Sequence, residues 1–242
     1  MTDDDAELSD PDVVRSADGS VGRFFDSLSE DYTAVIERCF PRYREMFWAL
    51  LEYLPPDLEP QSILELGAGT GNLSALLADR FAESDICLVD LSAESLQDCR
   101  DRLGTHERFR HDQRDFRDLS YQDESFGLVA SSISLHHLTG REKQALFAEI
   151  YRWLKPGGVF AYADQHAGET PDLYQRHIDH WKSISLGAGS SEQEWEMWMQ
   201  HQRDHDHHDT MSDQMKWLSE SGFAVVDCPW RYLLWTVLQA RK

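Results

Sequence analysis

The sequence predicts an α/β fold in which a doubly wound, mainly parallel sheet carries helices on both faces. Short apolar runs alternate with amphipathic helical patterns along most of the chain. A glycine-rich turn joins the first run, residues 62–66, to a helix. The second run, residues 86–90, ends in Asp90, about twenty residues after the glycines, as expected where the carboxyl ends of parallel strands form a binding edge.

Composition limits the possible partners. The 242-residue chain has a formal net charge of −21, which repels phosphate backbones and argues against a nucleic-acid partner. No apolar stretch is long enough to cross a bilayer, and the acidic start at residues 1–5 is unlike a signal peptide. The four scattered cysteines form no CxxC pair. We therefore expect a cytoplasmic chain with free thiols and no membrane partner.

The chain is expected to divide into a tail and one domain. Residues 1–20 are acidic and poor in apolar side chains, which predicts a flexible tail. The predicted domain covers residues 21–242 and opens with helical patterns over residues 21–54, interrupted at Pro41. Residues 164–209 are longer than a plain connection requires, and we expect them to form a helical cap inserted after the fifth strand.

The glycine turn contains Glu65, Gly67, Ala68, Gly69 and Gly71 in the pattern E-x-G-x-G-x-G. Glycine adopts positive φ without strain and lets a ligand approach bare backbone. The spacing differs from the dinucleotide pattern G-x-G-x-x-G, and the turn lacks the lysine of a P-loop. The turn therefore predicts a cofactor cradle of another kind.

The remaining elements follow the same alternation. Thr70 or Asn72 is expected to cap the helix after the turn, and Ser92 to cap the next one. The apolar face of the first of these helices is predicted to comprise Leu73, Leu76, Leu77 and Phe81. Further elements are predicted as strands at residues 108–111, 125–132, 159–163, 222–226 and 232–238, and helices at residues 142–154, 171–186, 191–203 and around 215–218.

From about residue 21 to its end, the chain resembles class I S-adenosylmethionine (SAM)-dependent methyltransferases. The resemblance rests on Glu65 with the glycines, on Asp90 and Asp115, and on the sequence LKPGG at residues 154–158. The resemblance implies SAM as cofactor and a seven-stranded sheet that ends in an antiparallel hairpin. The cofactor-binding residues that it implies are Glu65, Gly67, Ala68, Gly69, Gly71, Asp90, Leu91, Asp115, Phe116, Ser132 and Tyr32.

The resemblance also implies individual roles. Asp90 would accept hydrogen bonds from the ribose hydroxyls, Asp115 from the adenine amino group, and Phe116 would cover the adenine ring. Tyr32 or Tyr43 would close over the cofactor. For Asp115 the alternative is an acidic loop residue in a run of charges. Gly127 departs from the family pattern, which usually has Asp there.

The function implied is methyl transfer to a small-molecule acceptor. A histidine near the methyl group would act as general base, and His136, His137 and His166 are the catalytic candidates by chain position. One alternative is an enzyme similar to carboxy-SAM synthases, for which Arg203 would have to supply the cation. A non-catalytic SAM- or metal-binding module is the other.

The end of the insertion is rich in histidine and aspartate. His201, His205 and His208 would share one face of a helix, which makes a divalent metal site an alternative there. We expect instead a polar, partly mobile connection, and we predict no metal ligand. The tryptophans earlier in the insertion lie at helical spacing and are expected to pack in the core rather than to face a substrate.

Overall fold

The computed structural model describes residues 39–242. Its strands are β1 Ser62–Leu66, β2 Asp85–Asp90, β3 Phe109–Gln113, β4 Phe126–Ser132, β5 Leu154–Gln165, β6 Val225–Tyr232 and β7 Trp235–Arg241. Within this part of the chain they form one seven-stranded sheet in the order β3-β2-β1-β4-β5-β7-β6. The first five strands are parallel, and β7 is antiparallel to both β5 and β6. The predicted fold class and terminal hairpin are confirmed.

The helices occupy the connections between the strands. They are α1 Tyr43–Glu52, α2 Asn72–Arg80, α3 Ala93–Leu103, α4 Gly140–Trp153, α5 Pro171–Gly187, α6 Glu192–His205 and α7 Met211–Glu220. Two short 3-10 helices, Phe116–Asp118 and Leu135–His137, follow β3 and β4. None of the helices in residues 39–242 combines the length and the apolar character that a bilayer span requires.

Each central strand buries both of its faces, as parallel strands between two helical layers must. In β1, Ile63 belongs to one apolar layer and Leu64 to the other, and both side chains are fully buried. Leu128 and Val129 divide between the same two layers in β4. The parallel pairing of β1 with β2 and with β4 places the carboxyl ends of these strands along one edge of the sheet.

Helices α5 and α6 of the insertion are attached to the sheet by aromatic packing. Phe40 lies 5.4–5.8 Å, between ring centroids, from each of Trp181, Trp198 and Trp235. The indole of Trp181 also contacts Trp195 at 4.8 Å and donates a hydrogen bond to the carbonyl of Cys39. These insertion tryptophans are buried, which agrees with the predicted core role.

Several local predictions need correction. The N-cap of α2 is Gly71, at φ +84° and without a side-chain cap, because Asn72 donates instead to the Tyr43 hydroxyl. Leu76 was predicted to face inward and is 40% exposed, since it lies beyond the edge of the face formed by Leu73 and Leu77. The cap predicted at Ser92 is confirmed, with its hydroxyl accepting from the Ser95 amide.

The strand boundaries also differ from the predicted ones. β5 begins at Leu154, and the LKPGG segment lies within it as an irregularity between the pairs Phe126–Leu154 and Leu128–Val159. The final hairpin turns at Leu233 and Leu234, where Tyr232 pairs with Trp235. This apolar turn, with Leu233 at φ +54°, was predicted as the start of a strand because it carries no polar turn residue. The predicted tail, the helical pattern over residues 21–38 and Tyr32 lie outside the described residues.

Gly127 leaves room for Pro60. A Cβ placed on Gly127 would lie 2.9 Å from the Cβ and 3.0 Å from the Cα of Pro60, closer than real contacts allow. The absence of a side chain at this position therefore has a packing reason within the loop before β1. It carries no implication for the cofactor edge, which lies at the opposite end of β4.

We predict that Gly127→Ala lowers the free energy of unfolding by about 1–3 kcal/mol, since overpacking moves a proline that has little freedom to shift. Gly127→Ala combined with Pro60→Gly should recover part of the loss, because the second change removes the Cβ of residue 60, the nearest atom to the added methyl group. Chemical denaturation of the wild type and the three variants measures this coupling. Strictly additive losses would show that Pro60 is not the obstacle.

Candidate active site

The glycine turn is held against the carboxyl end of β2 by backbone hydrogen bonds. The amides of Gly67 and Ala68 both donate to the carbonyl of Val89, at 2.8 and 3.0 Å. The amide of Gly69 donates to Oδ2 of Asp90 at 2.8 Å. Gly67, Gly69 and Gly71 all have positive φ, at +73°, +52° and +84°. Because these residues have no Cβ, the turn adopts this left-handed path without strain.

Gly69 and Gly67 differ in what surrounds them. A Cβ on Gly69 would meet nothing within 4 Å, so the space above this residue is open. A Cβ on Gly67 would lie 1.8 Å from Oγ of Ser134 and 3.5 Å from the ring of Phe116. The glycine turn, the segment after β4 and the segment after β3 therefore meet at Gly67.

Glu65 is a buried carboxyl group directly behind the turn. Its side chain is fully buried, and neither oxygen makes a well-formed hydrogen bond within residues 39–242. Burial raises the pKa of Glu65 to about 8; the nearby Ser74 hydroxyl partly offsets this rise, and the charge of Asp90 adds to it. A buried carboxyl group without a strong partner fits the position of a cationic ligand group.

Asp90 divides its carboxylate between two backbone donors. Oδ2 accepts from Gly69, and Oδ1 accepts from the amide of Ser92 at 2.9 Å. The N-cap of α3 is the neighbouring Ser92, as predicted. The next residue, Leu91, is 37% exposed at the same edge of the sheet. Asp90 thus shapes the turn that the cofactor is predicted to contact.

Asp115 and Phe116 take different positions after β3. Asp115 caps the 3-10 helix and accepts from the side chain of Arg117 at 2.6 and 2.8 Å. Burial raises the pKa of Asp115, but the hydrogen bonds and charge of Arg117 outweigh this effect and lower the pKa. Phe116 is near Gly67, as a residue covering a bound ring would be. The Arg117 contact corresponds to the local charged-loop role that we kept as the alternative for Asp115.

The chain leaves β4 through a strained residue. Ser132 ends the strand, and its carbonyl accepts from Oγ of Ser134 at 3.0 Å. Between them Ile133 has φ +49°, a conformation that a β-branched residue rarely adopts. Its amide donates to Ala163 in β5 at 2.8 Å. This anchored, left-handed residue directs Ser134 toward Gly67, and strain of this kind is concentrated at functional sites.

His136 is part of a buried pair with Asp164 at the end of β5. Nδ1 of His136 lies 2.5 Å from Oδ1 of Asp164, and the His136 amide donates to Oδ2 at 3.0 Å. Burial lowers the pKa of His136, but Asp164 and Asp206 more than compensate and raise it. The pKa of Asp164 is held below its usual range by His136 and by the amide of Gln165, against the opposing effect of burial.

Asp206 lies just after α6, with its side chain 4% exposed, and four imidazoles surround it. Nδ1 of His137 is 3.3 Å and Nε2 of His136 is 3.8 Å from Oδ1 of Asp206. On its other sides are Nε2 of His201, 3.7 Å from Oδ1, and Nε2 of His208, 3.5 Å from Oδ2. The side chains of His201, Asp206 and His208 are buried against the segment after β4, so the expected polar connection is wrong for these three residues. We call these five residues the Asp206 cluster.

Protonation in the Asp206 cluster follows from burial and charge. Burial lowers the pKa of His201 to about 3 and lowers the pKa values of His137 and His208, although Asp206 opposes this in each case. Burial would raise the pKa of Asp206, but His136, His137 and His208 hold it below its usual range. At neutral pH the cluster therefore has a carboxylate facing neutral imidazoles at His137, His201 and His208.

His166 lies apart from this group, in the interior. It is fully buried, its ring stacks on Tyr162, and Nδ1 is 2.7 Å from the hydroxyl of Thr236 in β7. Burial lowers the pKa of His166 to about 4. The structure thus brings His136 and His137 to the binding edge and keeps His166 behind it.

Two buried charged side chains near the candidate site were not predicted from the sequence. Asp164 ends a buried strand and Lys143 lies within α4, and both look like ordinary charged residues in the pattern. Lys143 is fully buried, and its ammonium donates to the carbonyl of His207 and, at 2.6 Å, to Oδ2 of Asp209. For Asp164, the one available indication in the sequence was its position at the end of an apolar run, two residues before His166. Lysine at an inward helical position gave none.

We predict that Gly67→Ala disrupts the turn far more than Gly104→Ala. Both residues have φ +73°, but an added methyl group at Gly104 meets nothing within 4 Å, whereas at Gly67 it overlaps Ser134. Gly104→Ala should cost about 1–3 kcal/mol of backbone strain, because φ +73° with ψ 171° is a conformation essentially restricted to glycine, and Gly67→Ala should in addition abolish SAM binding. Thermal unfolding and calorimetric titration with SAM measure the two effects. Equal behaviour of the two variants would contradict the crowding at Gly67.

Comparison with known proteins finds similarity in the region that contains the glycine turn, β1 to β4 and α4. Residues 63–158 match the family model described as "Methyltransferase domain". The chain is 35% identical over 143 residues to the ubiquinone/menaquinone biosynthesis C-methyltransferase of Xylella fastidiosa (strain M23), covering 57% of this chain and 53% of that protein. It is 37% identical over 133 residues to the malonyl-[acyl-carrier protein] O-methyltransferase of Geobacter sulfurreducens, covering 54% and 46%. The chain thus spans about half the length of these curated relatives.

A solved structure resembles the fold as a whole. The S-adenosylmethionine-dependent methyltransferase from Mesorhizobium loti superposes with a TM-score of 0.59 at 20% identity, covering 85% of this chain and all of that one. The domain match, the strand order and the glycine turn agree with one another. Residues 63–158 of the chain match a methyltransferase domain, and its sequence and fold are similar to those of SAM-dependent methyltransferases.

Proposed function

We propose that the chain transfers the sulfonium methyl group of SAM to a small-molecule acceptor. The observation that carries this proposal is the glycine turn, bonded to the end of β2, with open space at Gly69 and the buried carboxyl group of Glu65 behind it. In this proposal Glu65 faces the methionine ammonium, Phe116 covers the adenine ring, and Asp90 holds the turn in shape. SAM supplies a methyl group that its positive sulfur makes reactive.

The acceptor side of the proposed site is the segment after β4. Ser134 approaches Gly67, and the 3-10 helix with His136 and His137 follows directly. The side chain of His137 is 18% exposed, against 3% for His136, so His137 is the more accessible of the two. We place the acceptor against His137, with His136 behind it. The contribution of the protein would be to hold methyl group and acceptor in line, which removes much of the entropic barrier.

His166 fits a supporting role in this proposal. A fully buried ring that is bonded to Thr236 cannot reach an acceptor, but it fixes the end of β5 on which Asp164 lies. The insertion is proposed to cover the acceptor through α6. Both relatives named above are methyltransferases with C or O acceptors, and a small organic acceptor is consistent with the strongly acidic surface.

The carboxy-SAM-synthase alternative has little support. It needs a cation near the cofactor, and Arg203 points to solvent, with 53% of its side chain exposed. Its guanidinium donates to Glu196 at 2.7 Å and to Gln200 at 2.8 Å on the same helix. The remaining alternative is a SAM-binding module without transfer, which an acceptor screen separates from an enzyme.

The first test is calorimetric titration with SAM of the wild type, Asp90→Ala and a control, Asp79→Ala, on the exposed side of α2. Asp90→Ala should weaken binding at least about tenfold, because it removes two charge-assisted hydrogen bonds, one from the glycine turn at Gly69 and one from the amide of Ser92. Asp79→Ala should bind as the wild type does.

Transfer of radiolabelled methyl from SAM to phenolic, quinol and carboxylate acceptors then tests the reaction. A folded wild type that binds no SAM would refute the proposal.

The protonation of Glu65 gives a second test. Because its folded-state pKa is raised to about 8 from an ordinary 4.5, the folded chain keeps a proton that the unfolded chain releases. Wild-type stability should therefore fall, relative to Glu65→Gln, as pH rises from 4.5 to 8, by up to about 1.4 kcal/mol per pH unit. Thermal unfolding across this range measures the difference, and Glu83→Gln, at an exposed position, is the control.

SAM binding should add a signal of its own. An ammonium group placed beside Glu65 favours the carboxylate, so binding near neutral pH should release a proton. Calorimetric titration in buffers with different ionisation enthalpies measures that release, which Glu65→Gln should abolish together with most of the affinity. An unchanged affinity in Glu65→Gln would remove Glu65 from the proposed cofactor contacts.

A further inference from the structure

The Asp206 cluster has spacings that are unusual for hydrogen bonds. Its nitrogen–oxygen distances run from 3.3 to 3.8 Å. Hydrogen bonds between N–H and O are about 2.7–3.2 Å long. The four imidazoles are therefore gathered around one carboxylate, at distances longer than those of close hydrogen bonds.

These spacings match those of ligands around a metal ion. Imidazole nitrogen and carboxylate oxygen bind zinc at about 2.0–2.2 Å, which puts neighbouring tetrahedral ligands about 3.3–3.5 Å apart. His137 and Asp206 are separated by 3.3 Å, and His136 and Asp206 by 3.8 Å. One ligand atom from each of His136, His137 and Asp206 lies within 4.8 Å of the other two. One ion can therefore reach all three groups with small adjustments.

Neighbouring side chains orient the imidazoles around Asp206 by hydrogen bonds, as residues around the ligands of a metal site do. Nδ1 of His136 is fixed by Asp164 at 2.5 Å, which leaves Nε2 directed toward Asp206. A carboxylate on the far nitrogen of a ligand imidazole fixes its orientation and makes it a better donor. On the opposite side, Nδ1 of His208 contacts the Tyr174 hydroxyl at 2.6 Å, and Gln202 donates to the same hydroxyl at 2.8 Å.

The backbone that carries Asp206 is also held in place. The amide of His207 donates to the carbonyl of His136 at 2.7 Å, and buried Lys143 donates to the carbonyl of His207. The positive charge of Lys143 is balanced by Asp209 at 2.6 Å. Asp206 is therefore positioned against His136 before any ligand binds, and Asp209 offsets part of the Lys143 charge, which by itself opposes positive charge at His136.

We propose that His136, His137 and Asp206 bind a divalent first-row transition metal ion. Two imidazoles and one carboxylate favour zinc or iron over magnesium or calcium, which prefer oxygen ligands. Three protein ligands leave positions for water or for an acceptor atom. His201 and His208 flank Asp206 outside this set. The site joins the insertion, through Asp206, to the segment after β4.

The inference goes beyond the proposed methyl transfer and does not depend on it, because ion binding is measured without SAM or acceptor. The protein is first freed of metal by dialysis against a chelator. Zn²⁺ is then titrated in competition with a chromophoric chelator, and Co²⁺ is added in a parallel sample for its visible absorption. We expect one equivalent of each ion, together with the Co²⁺ absorption bands of a nitrogen- and oxygen-bound site.

The variants are His137→Gln and Asp206→Asn, which keep side-chain size, and the control is His180→Gln, at an exposed position on α5 of the same insertion. The first two should weaken Zn²⁺ binding at least about tenfold, whereas the control should bind as the wild type does. Circular dichroism checks that each variant is folded. Zn²⁺ at about a hundred times its Kd should also raise the wild-type Tm by roughly 5–10 °C.

Two results would overturn the proposal. One is a folded wild type that binds no Zn²⁺ and shows no Co²⁺ bands, which needs no variant to interpret. The other is tight binding that survives in both His137→Gln and Asp206→Asn, which would place the ion elsewhere. The SAM titration is scored separately, so loss of ion binding and loss of cofactor binding cannot be mistaken for each other.

Discussion

The binding edge depends on three backbone amides of the glycine turn that donate to two residues at the end of β2. The amides of Gly67 and Ala68 share the carbonyl of Val89, and that of Gly69 ends on Asp90. These bonds use donors that would otherwise lack partners between a strand and a helix. They also fix the distance between the glycine turn and the end of β2 at the edge where we propose that the cofactor binds, so glycine and aspartate are required together.

The second constraint lies one strand further along the sheet. Ile133, at positive φ, turns the chain after β4 so that Ser134 approaches Gly67 while His136 reaches Asp164. A single strained residue thus places one segment against both the glycine turn and the Asp206 cluster. The hydrogen bond from the Ile133 amide to the carbonyl of Ala163 in β5 offsets part of the free-energy cost of this strained backbone.

Local patterns predicted the sheet, the helices and the glycine turn after β1, because these depend on residue spacing along short stretches. The positions of Ser92 and Asp90 at the end of a strand could be predicted because both residues follow an apolar run. The turn at Leu233 could not be predicted, because apolar turn residues carry no local signal. The reason for Gly127 could not be found either, since Pro60 is far away in sequence. The Asp206 cluster needed the fold itself: a histidine-rich stretch looks polar until helix α6 carries its end onto the segment after β4.

The aromatic packing of the insertion has an optical consequence. Four of the eight tryptophans, Trp181, Trp195, Trp198 and Trp235, share one buried cluster that joins α5 and α6 to the sheet, and Trp48 is more than half exposed. Indole fluorescence shifts to longer wavelength when water reaches the ring. The tryptophan emission spectrum of this chain therefore reports whether the insertion is packed against the sheet, and no attached dye is needed.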